Sequence, residues 1–296
     1  MSPHSWPIPA LPSHLWTRLP EEEDSLIESA CRYYGATSIL PVAGSQAAIQ
    51  ALPRLRAPCR VGIPHPAYAE HAYAWKRAGH HVVSWHREQG TEDLDVLVLI
   101  NPNNPTGELF SRDELLQLHA GLANKDGWLV VDEAFIDTLP QQSLAADSHQ
   151  AGMIILRSLG KFFGLPGARV GFAMAAPCLL QTLREVLGPW PVASPARWLA
   201  RQALDDTAWQ LAQRNRLVAS GRRLLALLRK HNLVPDGGTT LFQWLKTSKA
   251  AMIHRQLAQQ GILTRLYTAP QSLRFGLPGT DAEWQRLAEG LARVVV

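Results

Sequence analysis

The chain has 296 residues, 46% of them hydrophobic and 18% charged, with a net charge of +4. That size and apolar content allow a large core and a smaller one, and no apolar run approaches the roughly 20 residues that a membrane span needs. The start, MSPHSWPIPALP, lacks a basic region and a long apolar segment, so no secretion is expected. Cys31, Cys59 and Cys178 are odd in number and far apart, which gives neither a disulfide framework nor a zinc pattern and fits a reducing cytoplasm. Basic residues in RNRLVASGRRLLALLRK, 214 to 230, fall at helical spacing and read as a solvated helix face rather than a nucleic-acid groove.

In chain order, prolines at 3, 7, 9, 12 and 20 predict an extended N-terminal arm. From about 36 onward, β-like apolar runs alternate with helical patterns. The runs are RVGIP (60 to 64), HVVSW (81 to 85), DVLVLI (95 to 100), GWLVVDEA (127 to 134) and MIILRS (153 to 158). Such alternation predicts an α/β fold with a largely parallel sheet. Between two runs, Ser111 and Glu114 form a capping box, and Leu115, Leu118 and Leu122 follow on one helical face. After about 200 come a long helix, the strand TLFQWLK (240 to 246), another helix, and then GILTRLY and LRFGL, a second and smaller α/β domain. The division expected is 1–35 as arm and small-domain segment, 36–197 as the large domain, and 198–296 as the small one.

In parallel sheets, ligands sit beyond the carboxyl ends of the strands, where this chain places its chemistry. RSLGKFFGLPGAR, 157 to 169, sets Lys161 among Leu159, Phe162, Phe163 and Leu165 and follows it with Arg169. Partial desolvation lowers a lysine's pKa and frees its amine to form a Schiff base with a carbonyl. The same lysine could simply snorkel over an apolar patch. NPNNPTG, 101 to 107, is by itself a plausible turn, and DEA, 132 to 134, is weak alone.

Taken in that order, each at a strand end, NPNNPTG, DEA and SLGK with Arg169 resemble the fold-type I pyridoxal-phosphate enzymes of the class I/II aminotransferase superfamily. The resemblance covers roughly residues 5 to 285 and implies a fold-type I transferase with pyridoxal 5'-phosphate as cofactor and no metal. It implies that Lys161 and Asp132 are catalytic, Asp132 being the partner of the pyridine nitrogen. Cofactor binding would fall to Gly44, Ser45, Gln46, Tyr68, Asn104, Ser158 and Arg169 together with those two. Arg274 in LRFG would take a substrate carboxylate and Arg265 in GILTR a substrate phosphate; arginine's planar fork suits both. Arg157 could point either way.

Two positions depart from the family pattern. Phe135 stands where a tyrosine often reaches the cofactor, and Leu19 in TRLP stands where a tyrosine reaches the neighbouring subunit's cofactor. A homodimer is still expected, with no nucleic acid and no membrane as partner. KFFGLPG and GPWPVASPA resemble the branch that decarboxylates phosphothreonine in cobalamin biosynthesis. That implies conversion of L-threonine O-3-phosphate to (R)-1-amino-2-propanol O-2-phosphate. The alternatives are a histidinol-phosphate-type aminotransferase or a catalytically impaired cofactor-binding partner protein. The resemblance also implies a family N-terminal segment that begins earlier than Met1.

Overall fold

A computed structural model describes residues 1–294. Its large sheet has seven strands in the order β1-β7-β6-β5-β4-β2-β3. They are β1 (Ile39–Val42), β2 (Arg60–Pro64), β3 (His81–Trp85), β4 (Val96–Ile100), β5 (Trp128–Asp132), β6 (Met153–Ser158) and β7 (Gly171–Met174). From β3 through β6 the pairs are parallel, while β7 runs antiparallel to both β6 and β1. All five residues of β4 are buried. Helices cover both faces of the sheet, which is why its central strands read as unbroken apolar runs rather than alternating ones.

The apolar runs expected at 60–64, 81–85 and 153–158 are strands over those residues, and the run at 127–134 shortens to Trp128–Asp132. Two strands of this sheet escaped the sequence reading. Pro41 interrupts β1, and β7 is a four-residue piece, GFAM, that pairs with the preceding strand β6 and with the distant β1. Neither carries a local pattern strong enough to register.

Helices α1 (Leu26–Tyr34), α2 (Ser45–Ala51), α3 (Ala69–Arg77), α4 (Arg112–Ala123), α5 (Pro177–Leu187) and α6 (Ser194–Asp205) surround this sheet. The capping box of α4 is complete: the Ser111 hydroxyl accepts from the Glu114 amide, and the Glu114 carboxylate accepts from the Ser111 amide. Along the arm, Ser13–Trp16 tightens into a 3-10 turn, and the first residues lie against the Lys161 loop, with Ser2 N–H donating to Lys161 O at 2.8 Å and Trp6 N–H to Phe163 O at 2.8 Å.

The second sheet has four antiparallel strands in the order β10-β11-β9-β8: β8 (Gly237–Thr239), β9 (Phe242–Lys246), β10 (Arg265–Thr268) and β11 (Gln271–Gly276). It packs with α8 (Ala250–Ala258) and α9 (Asp281–Ala292) around Ile253, Leu257, Leu273, Phe275 and Trp284. Helix α7 (Thr207–Lys230) joins the two layers. Leu217 belongs to the main core and Leu224 and Leu228 to the smaller one, so its 24 residues span from one to the other.

Candidate active site

The carboxyl ends of β4, β5 and β6 converge on one face, and the small sheet lies over it. Asp132 closes β5, with 4% of its surface exposed. Its Oδ1 accepts from the Ala134 amide at 3.0 Å, and its Oδ2 lies 3.0 Å from Nε2 of His71, itself 1% exposed. A carboxylate buried this way is oriented from both oxygens.

Lys161 follows β6. Its ammonium lies 5.6 Å from the centroid of the Phe135 ring and has no hydrogen-bond or ion-pair partner among the described residues. Burial pushes its pKa down, the neighbouring Asp132 pulls the other way, and Arg274 and Arg169 add to the lowering. The free amine needed of a nucleophile is therefore easier to reach here than on an exposed lysine.

A cradle lies to one side. Gly44 has φ of 71°, a backbone region that favours glycine. A Cβ there would fall 2.7 Å from Nη2 of Arg169, so a side chain at 44 would displace the guanidinium that lies across the turn. Ser45 and Gln46 begin α2, whose first amides have no acceptor within the helix. Gln46 accepts from the Tyr68 hydroxyl at 3.2 Å and donates to Glu70 at 2.9 Å. The Ser158 hydroxyl accepts from the Gly160 amide at 3.2 Å. Tyr68 is 38% exposed and lines a cleft of about 560 Å³ with Asn104, Arg265 and Arg274, so it sits at a cavity wall rather than in the core.

Arg274 joins the two layers by donating to the Asn104 side-chain oxygen. With its oxygen engaged, the Asn104 side-chain nitrogen remains as a donor. The Arg274 guanidinium also lies 5.2 Å from the Phe242 ring, which meets Phe135 edge-on at 5.3 Å. Phe135 is thus an apolar wall beside Lys161 and brings no hydroxyl, as its side chain requires. Leu19 is 62% exposed.

Arg157 points away from this face. It donates to Glu133 at 3.1 Å and to Asp137 at 2.6 Å, and Tyr33 donates to the same Asp137 oxygen at 2.9 Å. Burial works against the charge on Arg157, but Asp137 and Glu133 outweigh it and its pKa is raised. Burial likewise pushes the Glu133 carboxyl up, against the pull of Arg157.

Sequence reasoning missed His71. The available signal was its spacing: it follows Tyr68 by three residues at the start of α3, which brings both to one helix face, with rings 6.2 Å apart. Its contact with Asp132 spans 61 positions and has no local signature.

A carboxylate at the end of β5, a lysine without an ion-pair partner on the loop after β6 and a glycine turn crossed by an arginine define a site of the aminotransferase kind. The model for the family described as aminotransferase class I and II matches residues 18–291, and the chain belongs to that family. Within it, the chain is similar to the threonine-phosphate decarboxylase of Pseudomonas aeruginosa: 53% identical over 295 residues, covering 97% of this chain and 88% of the relative. A threonine-phosphate decarboxylase of a Sinorhizobium species is 37% identical, with the same shares covered. Among solved structures, the fold is similar to that of the histidinol-phosphate aminotransferase of Sinorhizobium meliloti in complex with pyridoxal-5'-phosphate, with a TM-score of 0.82, 21% identity, and 94% of this chain and 82% of that one covered.

Proposed function

We propose that this protein is a pyridoxal-phosphate-dependent decarboxylase that converts L-threonine O-3-phosphate to (R)-1-amino-2-propanol O-2-phosphate. The observation that carries the reading is a pair of guanidiniums in one place: Arg265 and Arg274 are register partners across β10 and β11 and line one cleft. An amino acid with a second anionic group needs two such cations. The similarity to the Pseudomonas aeruginosa decarboxylase supports the same substrate.

The residues present suit the cofactor. Asp132, held on both oxygens, would keep a pyridine nitrogen protonated; Asn104 would donate to the ring oxygen, and Tyr68 would cover the ring. Gly44, Ser45, Gln46, Ser158 and Arg169 supply amides, a hydroxyl and a cation for a phosphate. Bound there, the cofactor supplies an electron sink for the pair released when a bond to Cα breaks.

The protein's part is orientation and proton handling. Arg274 would bind the substrate carboxylate, with the Phe242 and Phe135 rings packed beside it as an apolar wall. Lys161, with its lowered pKa, would hold the cofactor through its amine and would be the group that returns a proton to Cα.

We also read residues 1–35 as an arm, 36–197 as a large domain and 198–296 as a small one, with the working unit a homodimer in the cytoplasm. Ile8, Trp16 and Leu19 are each more than 60% exposed on the arm, which supports a contact between copies. No helix among the described residues is long and apolar enough to cross a membrane. The deciding experiment is CO₂ release from L-threonine O-3-phosphate by the cofactor-loaded protein without a keto acid. Turnover supports the decarboxylase. Turnover of histidinol phosphate only with 2-oxoglutarate present would replace it by an aminotransferase.

A further inference from the structure

Between Phe135 and helix α8 lies a cleft of about 630 Å³ with an apolar wall, Phe135 and Phe242, and a polar wall, His254, Thr264, Arg265 and Arg274. Among its described lining residues there is no aspartate or glutamate. Neither arginine forms an ion pair among the described residues, although their strands bring them opposite one another. Two like charges held together in a half-enclosed cleft repel each other, and an anion between them relieves that cost.

The two arginines are not equivalent. Arg274 is bonded to Asn104 and lies close enough to Lys161 to lower its pKa, so it belongs to the lysine's side of the cleft. Arg265 has no such contact and is exposed on the outer strand, with its guanidinium 5.9 Å from the Tyr267 ring. A phosphate monoester there presents three oxygens, more than one guanidinium can satisfy.

His254 supplies the missing donor. It comes from α8, and its Nδ1 lies 2.9 Å from the hydroxyl of Thr264, which is 7% exposed and immediately precedes Arg265. That contact fixes the ring, while Nε2 has no hydrogen-bond partner among the described residues. We propose that His254, oriented by Thr264, is a specificity-determining residue that binds the distal phosphate of the substrate through Nε2 beside Arg265. This rests on the reading of the substrate as a phosphorylated amino acid.

The test is calorimetric titration of the cofactor-loaded protein with inorganic phosphate, wild type against His254→Leu, His254→Gln and Thr264→Val. His254→Leu is expected to weaken phosphate binding about tenfold or more, the worth of one charge-assisted hydrogen bond. His254→Gln, which can present a donor near the place of Nε2, recovers most of the affinity, and Thr264→Val falls between. In turnover, KM for L-threonine O-3-phosphate rises in step while kcat stays within about twofold. Equal phosphate affinity in wild type and both His254 variants overturns the proposal. If wild type releases no CO₂ while His254→Leu still binds phosphate more weakly, the assigned reaction fails and the phosphate site stands.

Discussion

Two groups of cations lie within a few residues of one another along β6 and the loop after it, and the protein treats them in opposite ways. Arg157 is 3% exposed and both terminal nitrogens of its guanidinium are answered: Glu133 and Asp137 take them, Ser143 and Tyr33 complete those carboxylates, and the Tyr34 ring lies 4.5 Å away, which leaves only Nε without a hydrogen-bond partner among the described residues. Lys161, four residues later, has only the Phe135 ring and the field of Asp132. A buried charge with fitted partners is spent on holding the structure together. A charge kept without partners in a cleft is available to a ligand. Arg265 and Arg274 extend the second group from across the interface of the two sheets.

The contrast can be broken from either end. Lys161→Ala should lower turnover by about ten-thousandfold, the upper range for losing a positioned proton donor, with little change in thermal unfolding. Borohydride reduction should then leave no cofactor attached to the variant. Arg157→Met should do the reverse. Glu133 and Asp137 would stay buried without their cation at a cost of about 3–5 kcal/mol in unfolding free energy, while the molecules still folded keep most of their activity. If Arg157→Met folded as stably as wild type in urea, the structural reading of that cluster would be wrong.

A smaller change sharpens the boundary between the groups. His71→Leu removes the contact to Asp132 Oδ2 and leaves a buried carboxylate oxygen without its partner, worth about 1–3 kcal/mol. The loss should appear chiefly as weaker retention of the cofactor on dilution, because Asp132 rather than the core is disturbed. His71→Asn, which can still donate, should restore part of it.

The smallest effect is a pH slope. The pKa of Lys161 in the folded protein lies below its ordinary value of 10.5, so the unfolded chain binds the proton more tightly. Stability of the cofactor-free protein should therefore rise with pH between the lowered value and 10.5, and this contribution is lost as pH falls through the folded value. Subtracting the profile of Lys161→Met isolates it. A difference profile that is flat or falls over that window would contradict the desolvation of Lys161.

Much of the large sheet was legible because parallel strands buried on both faces are written as short, continuous apolar runs, and RVGIP and MIILRS map onto β2 and β6 residue for residue; HVVSW, at the partly exposed edge, maps onto β3 through its β-branched and aromatic residues. The capping box at Ser111 was legible for the same local reason. β1 and β7 were not, since an antiparallel pair joining residues 39–42 to 171–174 has no signature within either four-residue segment. The site divides along similar lines. Lys161, Asp132 and Asn104 stand out because each sits in a motif at a strand end, whereas His71 and His254 are ordinary histidines until the fold sets one beside Asp132 and the other beside Thr264.

By itself, then, the sequence determined the chemistry on offer: a lysine among apolar residues, a carboxylate and an asparagine at strand ends, and two arginines near the C-terminus. Tertiary structure alone decided which charges are answered. Whether a cation is paired depends on partners brought together across long stretches of chain, as Tyr33 meets Asp137 and Arg274 meets Asn104 over 104 and 170 positions. Local patterning carries propensity and amphipathicity, but pairing, burial and the resulting pKa shifts arise only when distant segments pack.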